Sequence, residues 1–378
     1  MKDIKHLKKW FIRCVSATAI VLLAACSLPE VTPPVETAAP TELPFIATST
    51  QSPSPTVTLV PVPVEITEKN AATLTVINRA PANTIQQIKW ANDGLTLAVS
   101  TQNSDSDGNQ LFGVSVLEVP GLAPKNIMST KDGRVADISS DGKLAALVSL
   151  DMTSISLVNL SSGNTVALTI TPGFMVGNAT FSPDGSTLAV AIADEWKVVI
   201  YSTSDGAEIN TLTGFETAAP VFNAGFTESP QWIAWHARAT LQLQEIEDGK
   251  LGPTLDHQDF VTTYAMTRDG SLLASDASTA GVDPAVHAVT LWDAAGGNVL
   301  RTFELTGQVL CIEFSPNGTL LAMGVGSALQ IWDVTSGTML ASLEEHAGQI
   351  TTLAFSADGK YLATAGNDNQ LFLWQVSE

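Results

Sequence analysis

The sequence predicts an all-β fold, a seven-bladed propeller of four-stranded antiparallel sheets that is closed by an N-terminal strand. Three observations predict it: a repeat with a period of about 40 to 48 residues, a tight turn in each repeat, and incomplete repeats at both ends. A repeat of this size cannot bury its own apolar face, so neighbouring repeats must pack against each other.

The turns indicate how many repeats there are. Each repeat has two apolar runs joined by a polar turn, then a third run that ends in an aromatic residue in the clearest copies. The turns are Asp93-Gly94, Asp141-Gly142, Asp184-Gly185, Ser229-Pro230, Asp269-Gly270, Asn317-Gly318 and Asp358-Gly359. Asp-Gly and Asn-Gly favour tight hairpins because their central residues accept positive φ, and Ser229-Pro230 is a degenerate copy.

A further strand in each interval makes four strands per repeat, with examples at 208–212, 298–305 and 339–343. The last repeat ends at its third strand, 371–376, and an unmatched strand, 72–77, precedes the first repeat. We expect the unmatched strand to complete the last sheet. This pairing closes the ring and limits the exposed sheet edges that promote aggregation.

From about residue 72 to residue 378 the chain resembles the WD-repeat family. The resemblance rests on the dipeptides Trp292-Asp293 and Trp332-Asp333 and on the near match Trp374-Gln375. It implies a propeller fold and a protein partner, and it says little about activity.

The resemblance also implies a buried, hydrogen-bonded tetrad in the last repeat, composed of His346, Thr364, Asp368 and Trp374. In the family the Asp and His side chains meet, the Ser or Thr accepts from His, and the Trp N–H closes the chain. Buried groups of these types each need a partner. The other repeats depart from the pattern, and the sixth has Gly326 at the Asp position.

Residues 1–25 indicate an export signal that is separate from the fold. Five basic residues precede a twelve-residue apolar core, 14–25, which is short for a membrane span. The run Leu23-Ala24-Ala25-Cys26 resembles the lipobox of bacterial lipoproteins, whose leader is cleaved before a Cys that then carries lipid. We expect Cys26 to be lipidated and to hold the chain on the outer face of a bacterial membrane, cytoplasmic or outer. The alternative is an ordinary cleaved leader.

Residues 26–71 are predicted to be the lipidated Cys and a disordered tether, which leaves 72–378 as the propeller. Residues 27–70 hold nine of the chain's 19 prolines, many Thr and Ser residues, and few large apolar side chains. Such a segment buries too little apolar surface to fold, and its prolines keep it extended.

Charge excludes one class of partner. Residues 1–25 hold five of the 18 Lys and Arg residues but one of the 38 Asp and Glu residues, so 26–378 carries a net charge of −24. Nucleic-acid binding requires basic patches, so we expect this protein not to bind nucleic acid. We expect it to contact the membrane through the lipid only. Cys311 is the one Cys in 72–378, so no internal disulfide is expected and Cys311 is interpreted as an inert core residue.

Catalytic motifs are absent: the sequence contains no GxSxG, GxxxxGK, HExxH or CxxC. We therefore expect neither enzyme activity nor a cofactor. The best metal candidate is a loop in which Asn103, Asp105 and Asp107 alternate, as at the start of a calcium loop. Val114 stands where such a loop needs a bidentate Glu, so the expected structure is a solvated hairpin turn without a metal.

Three bulky residues, Phe174, Trp196 and Phe215, fall between predicted strands. In a WD-type ring these segments share one face, and the acidic residues Asp194 and Glu195 adjoin Trp196 there. Two interpretations stay open: scattered surface aromatics, or a patch that binds a protein partner of basic character.

Together these features predict an exported, membrane-anchored lipoprotein whose propeller is a noncatalytic protein-interaction scaffold at the cell envelope. One alternative is a propeller hydrolase or lyase, which requires His and carboxylate side chains that converge at the channel mouth. A second alternative is a protein that binds an envelope carbohydrate or another small ligand, which acidic residues beside aromatics would allow.

Overall fold

The computed structural model describes residues 62–81, 84–168, 175–214, 223–229, 231–237, 239–257, 260–278 and 287–376. These residues form seven four-stranded antiparallel sheets, which confirms the predicted seven-bladed propeller. The predicted leader, Cys26 and most of the predicted tether lie outside the described residues. Within the described ranges, no helix is long and apolar enough to cross a membrane.

The strands follow one another with short connections. Numbered along the chain, they are β1 (Leu74–Pro81), β2 (Thr84–Trp90), β3 (Thr96–Ser104), β4 (Gln110–Glu118), β5 (Ala123–Thr130), β6 (Gly133–Ile138), β7 (Leu144–Ser149), β8 (Ile155–Asn159), β9 (Thr165–Ala167), β10 (Val176–Phe181), β11 (Thr187–Ile192), β12 (Lys197–Ser202), β13 (Glu208–Leu212), β14 (Asn223–Phe226), β15 (Trp232–Ala237), β16 (Thr240–Glu245), β17 (Leu251–Asp256), β18 (Phe260–Met266), β19 (Leu272–Ser278), β20 (His287–Asp293), β21 (Asn298–Leu305), β22 (Val309–Phe314), β23 (Leu320–Val325), β24 (Ala328–Asp333), β25 (Met339–Leu343), β26 (Ile350–Phe355), β27 (Tyr361–Gly366) and β28 (Gln370–Val376). A short 3₁₀ helix, Ala71–Thr73, precedes β1.

Six of the seven blades take four consecutive strands in sequence order. Blades 1 to 6 run from β2–β5 to β22–β25, and blade 7 consists of β26, β27, β28 and β1. The first strands of neighbouring blades contact one another, as β22 contacts β18 and β26, so the first strands lie nearest the axis. Hairpins between first and second strands therefore lie at one face of the ring, and hairpins between second and third strands lie at the other.

The turn between first and second strands repeats one hydrogen-bonded arrangement. A Ser or Thr hydroxyl donates to an Asp or Asn oxygen two residues later, at 2.6–2.7 Å, in Ser139–Asp141, Ser182–Asp184, Thr267–Asp269, Ser315–Asn317 and Ser356–Asp358. The Gly that follows each of these residues has φ between 68° and 73°. An L side chain is strained in this conformation, which is why Gly occupies this position in these five turns. Pro230 of the degenerate turn lies outside the described residues.

Strand β1 closes the ring, as predicted. It pairs antiparallel with β28, with Leu74 opposite Val376 and Val76 opposite Trp374. It begins two residues later than the predicted strand because Ala71–Thr73 forms the 3₁₀ helix. The predicted fourth strands coincide with β13, β21 and β25.

Residues 62–71 form an N-terminal strap that packs on blades 6 and 7, although the sequence suggested a tether there. The Ile66 side chain is 1% exposed and belongs to the core between these blades. Its backbone N–H donates to Gly359 O at 2.9 Å, and Glu65 Oε1 accepts from Asn317 Nδ2 at 2.7 Å. The folded part therefore starts before the predicted boundary, because an extended, Pro-containing segment can pack without regular secondary structure.

The apolar core lies between neighbouring blades. At one register position of the second strand, each blade has a buried Ala: Ala98, Ala146, Ala189, Ala234, Ala274, Ala322 and Ala363. The small side chain leaves room for close packing of the sheets. Cys311 is buried on β22, and burial raises the pKa of its thiol to about 12, so the thiol is not ionised at neutral pH.

Candidate functional site

The four predicted tetrad residues of blade 7 are joined by hydrogen bonds. The Trp374 indole N–H donates to Thr364 Oγ1 at 2.9 Å. Thr364 Oγ1 lies 2.8 Å from His346 Nε2, and His346 Nδ1 lies 2.9 Å from Asp368 Oδ2. The chain of bonds links β27, β28 and the hairpin between them to the loop before β26.

Burial determines the direction of these bonds. It lowers the pKa of His346 despite the opposing effect of Asp368, so the imidazole is neutral at pH 7 and has one N–H. A carboxylate only accepts, so Nδ1 carries the hydrogen and Nε2 accepts from the Thr364 hydroxyl. The resemblance implied that Thr accepts from His at this bond, whereas a neutral His346 requires Thr364 to donate. Because Thr364 and Trp374 are buried, the tetrad is a structural network.

Blade 5 has a second network of this kind, which the sequence analysis missed. The Trp292 indole N–H donates to Ser275 Oγ at 2.8 Å, and Ser275 Oγ lies 2.9 Å from His257 Nε2. Burial, with a smaller contribution from His236, lowers the pKa of His257 to about 4. His257 is therefore neutral at pH 7, and its Nε2 can accept from the Ser275 hydroxyl.

The calcium candidate is a hairpin loop between β3, which includes Asn103, and β4. Asp105 Oδ1 accepts the backbone N–H groups of Asp107 and Asn109 at 3.0 and 2.8 Å, and Asp105 Oδ2 lies 2.6 Å from Lys131 Nζ. These contacts hold the pKa of Asp105 far below its usual value, and the hydrogen bond from Lys131 has the largest effect. Across the described ranges, no three His, Cys, Asp or Glu side chains are grouped so that they could hold a metal ion. The carboxylate thus shapes the loop and pairs with an ammonium group.

Charged side chains converge at one end of the channel. Lys89, Asp137 and Glu313 each occupy the last position but one of a first strand, in blades 1, 2 and 6. Glu228 and Arg268 line a small, partly open cleft with Glu313. Burial, and then Glu228, raise the pKa of Glu313 to about 8, and Asp137 is the main cause of the raised pKa of Lys89. This is a convergent charged cluster of the kind that the hydrolase or lyase alternative requires, but it lacks His.

Two carboxylates of this cluster have a structural role. Asp137 Oδ2 accepts the backbone N–H of Phe181 in the next blade at 2.7 Å, and Glu313 Oε1 accepts that of Phe355 in the next blade at 3.1 Å. The hydroxyl oxygen of Thr180, at the same register in blade 3, accepts the corresponding bond at 2.9 Å. Because an uncharged hydroxyl makes the same contact, these side chains act as links between first strands, and they do not by themselves define a catalytic site.

Of the three predicted surface aromatics, Trp196 is described and is 39% exposed. It lies in the hairpin between β11 and β12, next to the exposed Asp194 and the partly buried Glu195. Phe174 and Phe215 lie outside the described residues, so the predicted three-residue patch stays a prediction.

The corresponding hairpin of blade 2 lies beside that of Trp196. We call the two hairpins, 149–154 and 193–197, together with Met175, the two-hairpin surface. Leu150 in the first hairpin is 58% exposed. The backbone N–H of Val176 donates to Met152 O, and that of Met175 donates to Asp194 Oδ1, both at 2.8 Å. Two consecutive residues thus hold the two hairpins together.

Each of these hairpins holds a bulky residue in the left-handed backbone region, with φ of 59° at Met152 and 49° at Trp196. In blades 6 and 7 the hairpin residues with this conformation are Gly326 and Asn369, at 58° and 57°, which are types that accept it. A bulky residue in this region costs on the order of 1–3 kcal/mol, and such strain concentrates at functional sites. The two-hairpin surface is therefore the candidate site that the geometry favours.

Comparison with known proteins finds WD repeats in the last part of the chain. Residues 297–333 and 337–375 match the family model described as "WD domain, G-beta repeat". Over 164 residues the chain is 25% identical to WD repeat-containing protein 18 of Homo sapiens, and the aligned region covers 42% of this chain and 34% of that protein. Over 71 residues it is 32% identical to WD repeat-containing protein 18 of Danio rerio, which covers 19% of this chain and 16% of that protein. The chain thus contains WD40 repeats and spans about a third or less of the length of these relatives.

Proposed function

We propose that this protein is an exported lipoprotein, anchored through Cys26, whose propeller binds a protein partner without catalysing a reaction. The observation that carries the binding role is the WD-repeat propeller, a closed ring that presents loops at two faces. WD-repeat proteins typically bind protein partners, and this step from fold to function is an analogy.

The lipid anchor rests on sequence. The run Leu23-Ala24-Ala25-Cys26 follows a basic head and a short apolar core, and several acyl chains on one residue hold a protein firmly where one chain would not. The N-terminal strap lies on Asn317 and Gly359, in hairpins between first and second strands. The two-hairpin surface lies at the other end of the strands, away from these strap contacts.

The enzyme alternative has less support. Its candidate carboxyl groups, those of Asp137 and Glu313, accept backbone N–H groups of the next blade, which gives both groups a structural partner without a substrate. The carbohydrate alternative would use Trp196 beside Asp194, which is part of the same surface as the protein partner. Binding is therefore the function to test first.

The anchor is tested in a bacterial host that expresses the full chain. Mass spectrometry of the membrane fraction should find an acylated peptide that begins at Cys26, and Cys26→Ser should release the protein from the membrane. An unmodified mature N-terminus elsewhere, or a Cys26→Ser protein that stays on the membrane, would exclude the lipid anchor.

Binding is tested by photo-crosslinking in intact cells. A photoreactive residue at position 196 should give a discrete adduct with another protein, and the same residue at position 95, on the opposite hairpins, should not. Adducts with carbohydrate, or equal protein adducts at both positions, would contradict protein binding at this face.

A further inference from the structure

We propose that the two-hairpin surface is the docking site for a partner segment in which an apolar side chain is flanked by Lys or Arg residues. This inference rests on the proposed binding function. It adds the surface that is used and the chemistry of the partner, neither of which follows from a propeller fold.

The apolar part of the surface comes from both blades. Leu150 is 58% exposed and Trp196 is 39% exposed. The side chains of Met152 and Met175 are partly exposed. Trp is enriched among residues that dominate binding energy, and Met adapts its shape to a partner. The bonds from Met175 and Val176 connect both hairpins, so little order has to be gained on binding.

The polar part of the surface is acidic. Asp151 and Asp194 are exposed, and Glu195 is paired with Lys197, so the surface has a net charge of −2. The Ser149 hydroxyl and the backbone N–H of Thr153 donate to Asp151 Oδ1 at 2.6 and 3.1 Å, which keeps this carboxylate ionised. Charge complementarity therefore selects a basic partner and disfavours nucleic acid or an anionic bilayer.

The backbone separates a binding role from a structural one. Trp196 has a left-handed φ and lies directly before the third strand of blade 3. The equivalent residue of blade 7 is Asn369, which has the same backbone conformation. If Trp196 only shaped its hairpin, Asn would fit the same conformation better. Trp196→Asn should therefore weaken binding while the melting temperature stays equal or rises.

The experiment uses the full chain in detergent micelles and a display library of random peptides as the probe. Enriched peptides should contain a Leu, Ile, Phe or Trp flanked by Lys or Arg. A resynthesised peptide should bind Trp196→Asn and Leu150→Ser at least about tenfold more weakly than the parent, as expected for interface anchors. Leu95→Ser is the matched control, because Leu95 is 55% exposed in a hairpin at the opposite face.

Asp151→Asn keeps the oxygen that accepts from Ser149 and removes the charge, so it should weaken binding several-fold and reduce the salt dependence. Enrichment of acidic or uncharged peptides would overturn the proposed partner chemistry. Equal affinity for the parent and both apolar variants would overturn the surface, while protein binding elsewhere on the ring would stand. Failure to enrich any peptide would count against the inference, and the crosslinking result at position 196 would decide the broader function separately.

Discussion

The Glu313 carboxyl group of blade 6 accepts the backbone N–H of Phe355 in blade 7 at 3.1 Å. This bond joins the first strands of two blades, in a cleft where burial and Glu228 raise the pKa of Glu313 from 4.5 to about 8. Nearby Lys89 and Arg268 oppose this rise only in part. The folded ring therefore keeps a proton on Glu313 at neutral pH that the unfolded chain releases.

This proton predicts a pH-dependent stability. Since the pKa of Glu313 is higher in the folded state, the free energy of unfolding should decrease as the pH rises from about 4.5 to about 8. Glu313→Gln keeps an acceptor for Phe355 and cannot ionise, so its melting temperature should exceed that of the parent near pH 8 and match it near pH 5. Each kcal/mol by which the substitution raises the free energy of unfolding should raise the melting temperature by roughly 2–4 °C.

Thermal melts of both proteins between pH 5 and pH 8 measure this difference. Glu228→Gln is the control: it removes the neighbouring charge, so it should flatten the pH dependence without removing Glu313. Parallel curves for the parent and Glu313→Gln would show that Glu313 ionises normally in the ring.

The blade 7 tetrad predicts a local loss of stability. Asp368→Ala removes the partner of His346 Nδ1 and of the backbone N–H of Ala347, which lie 2.9 and 3.0 Å from Asp368 Oδ2. The cost should be on the order of 1–3 kcal/mol because a buried donor is left unpaired. Asp333→Ala should cost less, since the donors to Asp333 are Ser336 and Thr335 of its own turn and no His side chain depends on it. Urea unfolding of the three proteins measures the difference, and equal values for Asp368→Ala and the parent would indicate a solvated network.

Local turn chemistry made most of the fold readable from sequence. The Asp-Gly and Asn-Gly turns sit where the structure has hydroxyl bonds to Asp or Asn side-chain oxygens and positive φ, so the residues that mark the repeat also form its turn. The closing strand was predictable because the strand count left one strand unpaired. The strap was not, since the burial of Ile66 depends on a groove built by blades 6 and 7.

The sites were less readable because they join residues far apart in the sequence. Glu313 and Glu228 belong to first strands or turns of different repeats, and no local motif brings them together. The blade 5 network was hidden by its long hairpin: Ser275 precedes Trp292 by 17 residues, whereas Thr364 precedes Trp374 by ten. The readable signal was His257 shortly before a first strand, as His346 is in blade 7.

The blade 5 network predicts a discriminating pair of substitutions. Ser275→Ala removes the oxygen that accepts from Trp292 and contacts His257, so it should cost about 1–3 kcal/mol. Ser275→Thr should retain most of the stability, because Thr364 makes the same two contacts in blade 7. Urea unfolding tests both variants. A Ser275→Ala protein as stable as the parent, or a Thr variant as unstable as the Ala variant, would contradict a hydrogen-bonded role for the hydroxyl.

The N-terminal strap predicts that the segment before residue 72 contributes to the stability of the ring. Ile66 is 1% exposed, so Ile66→Ala should leave a cavity between blades 6 and 7 and cost about 2–4 kcal/mol. Val62, four residues earlier, is 75% exposed, and Val62→Ala should change the free energy of unfolding by less than about 0.5 kcal/mol. Urea unfolding of the full chain compares the two variants in one background. If neither substitution lowers the free energy of unfolding, the strap is detached in solution and the folded part begins near β1, as the sequence alone suggested. If only Ile66→Ala lowers it, the folded part begins at the earlier boundary.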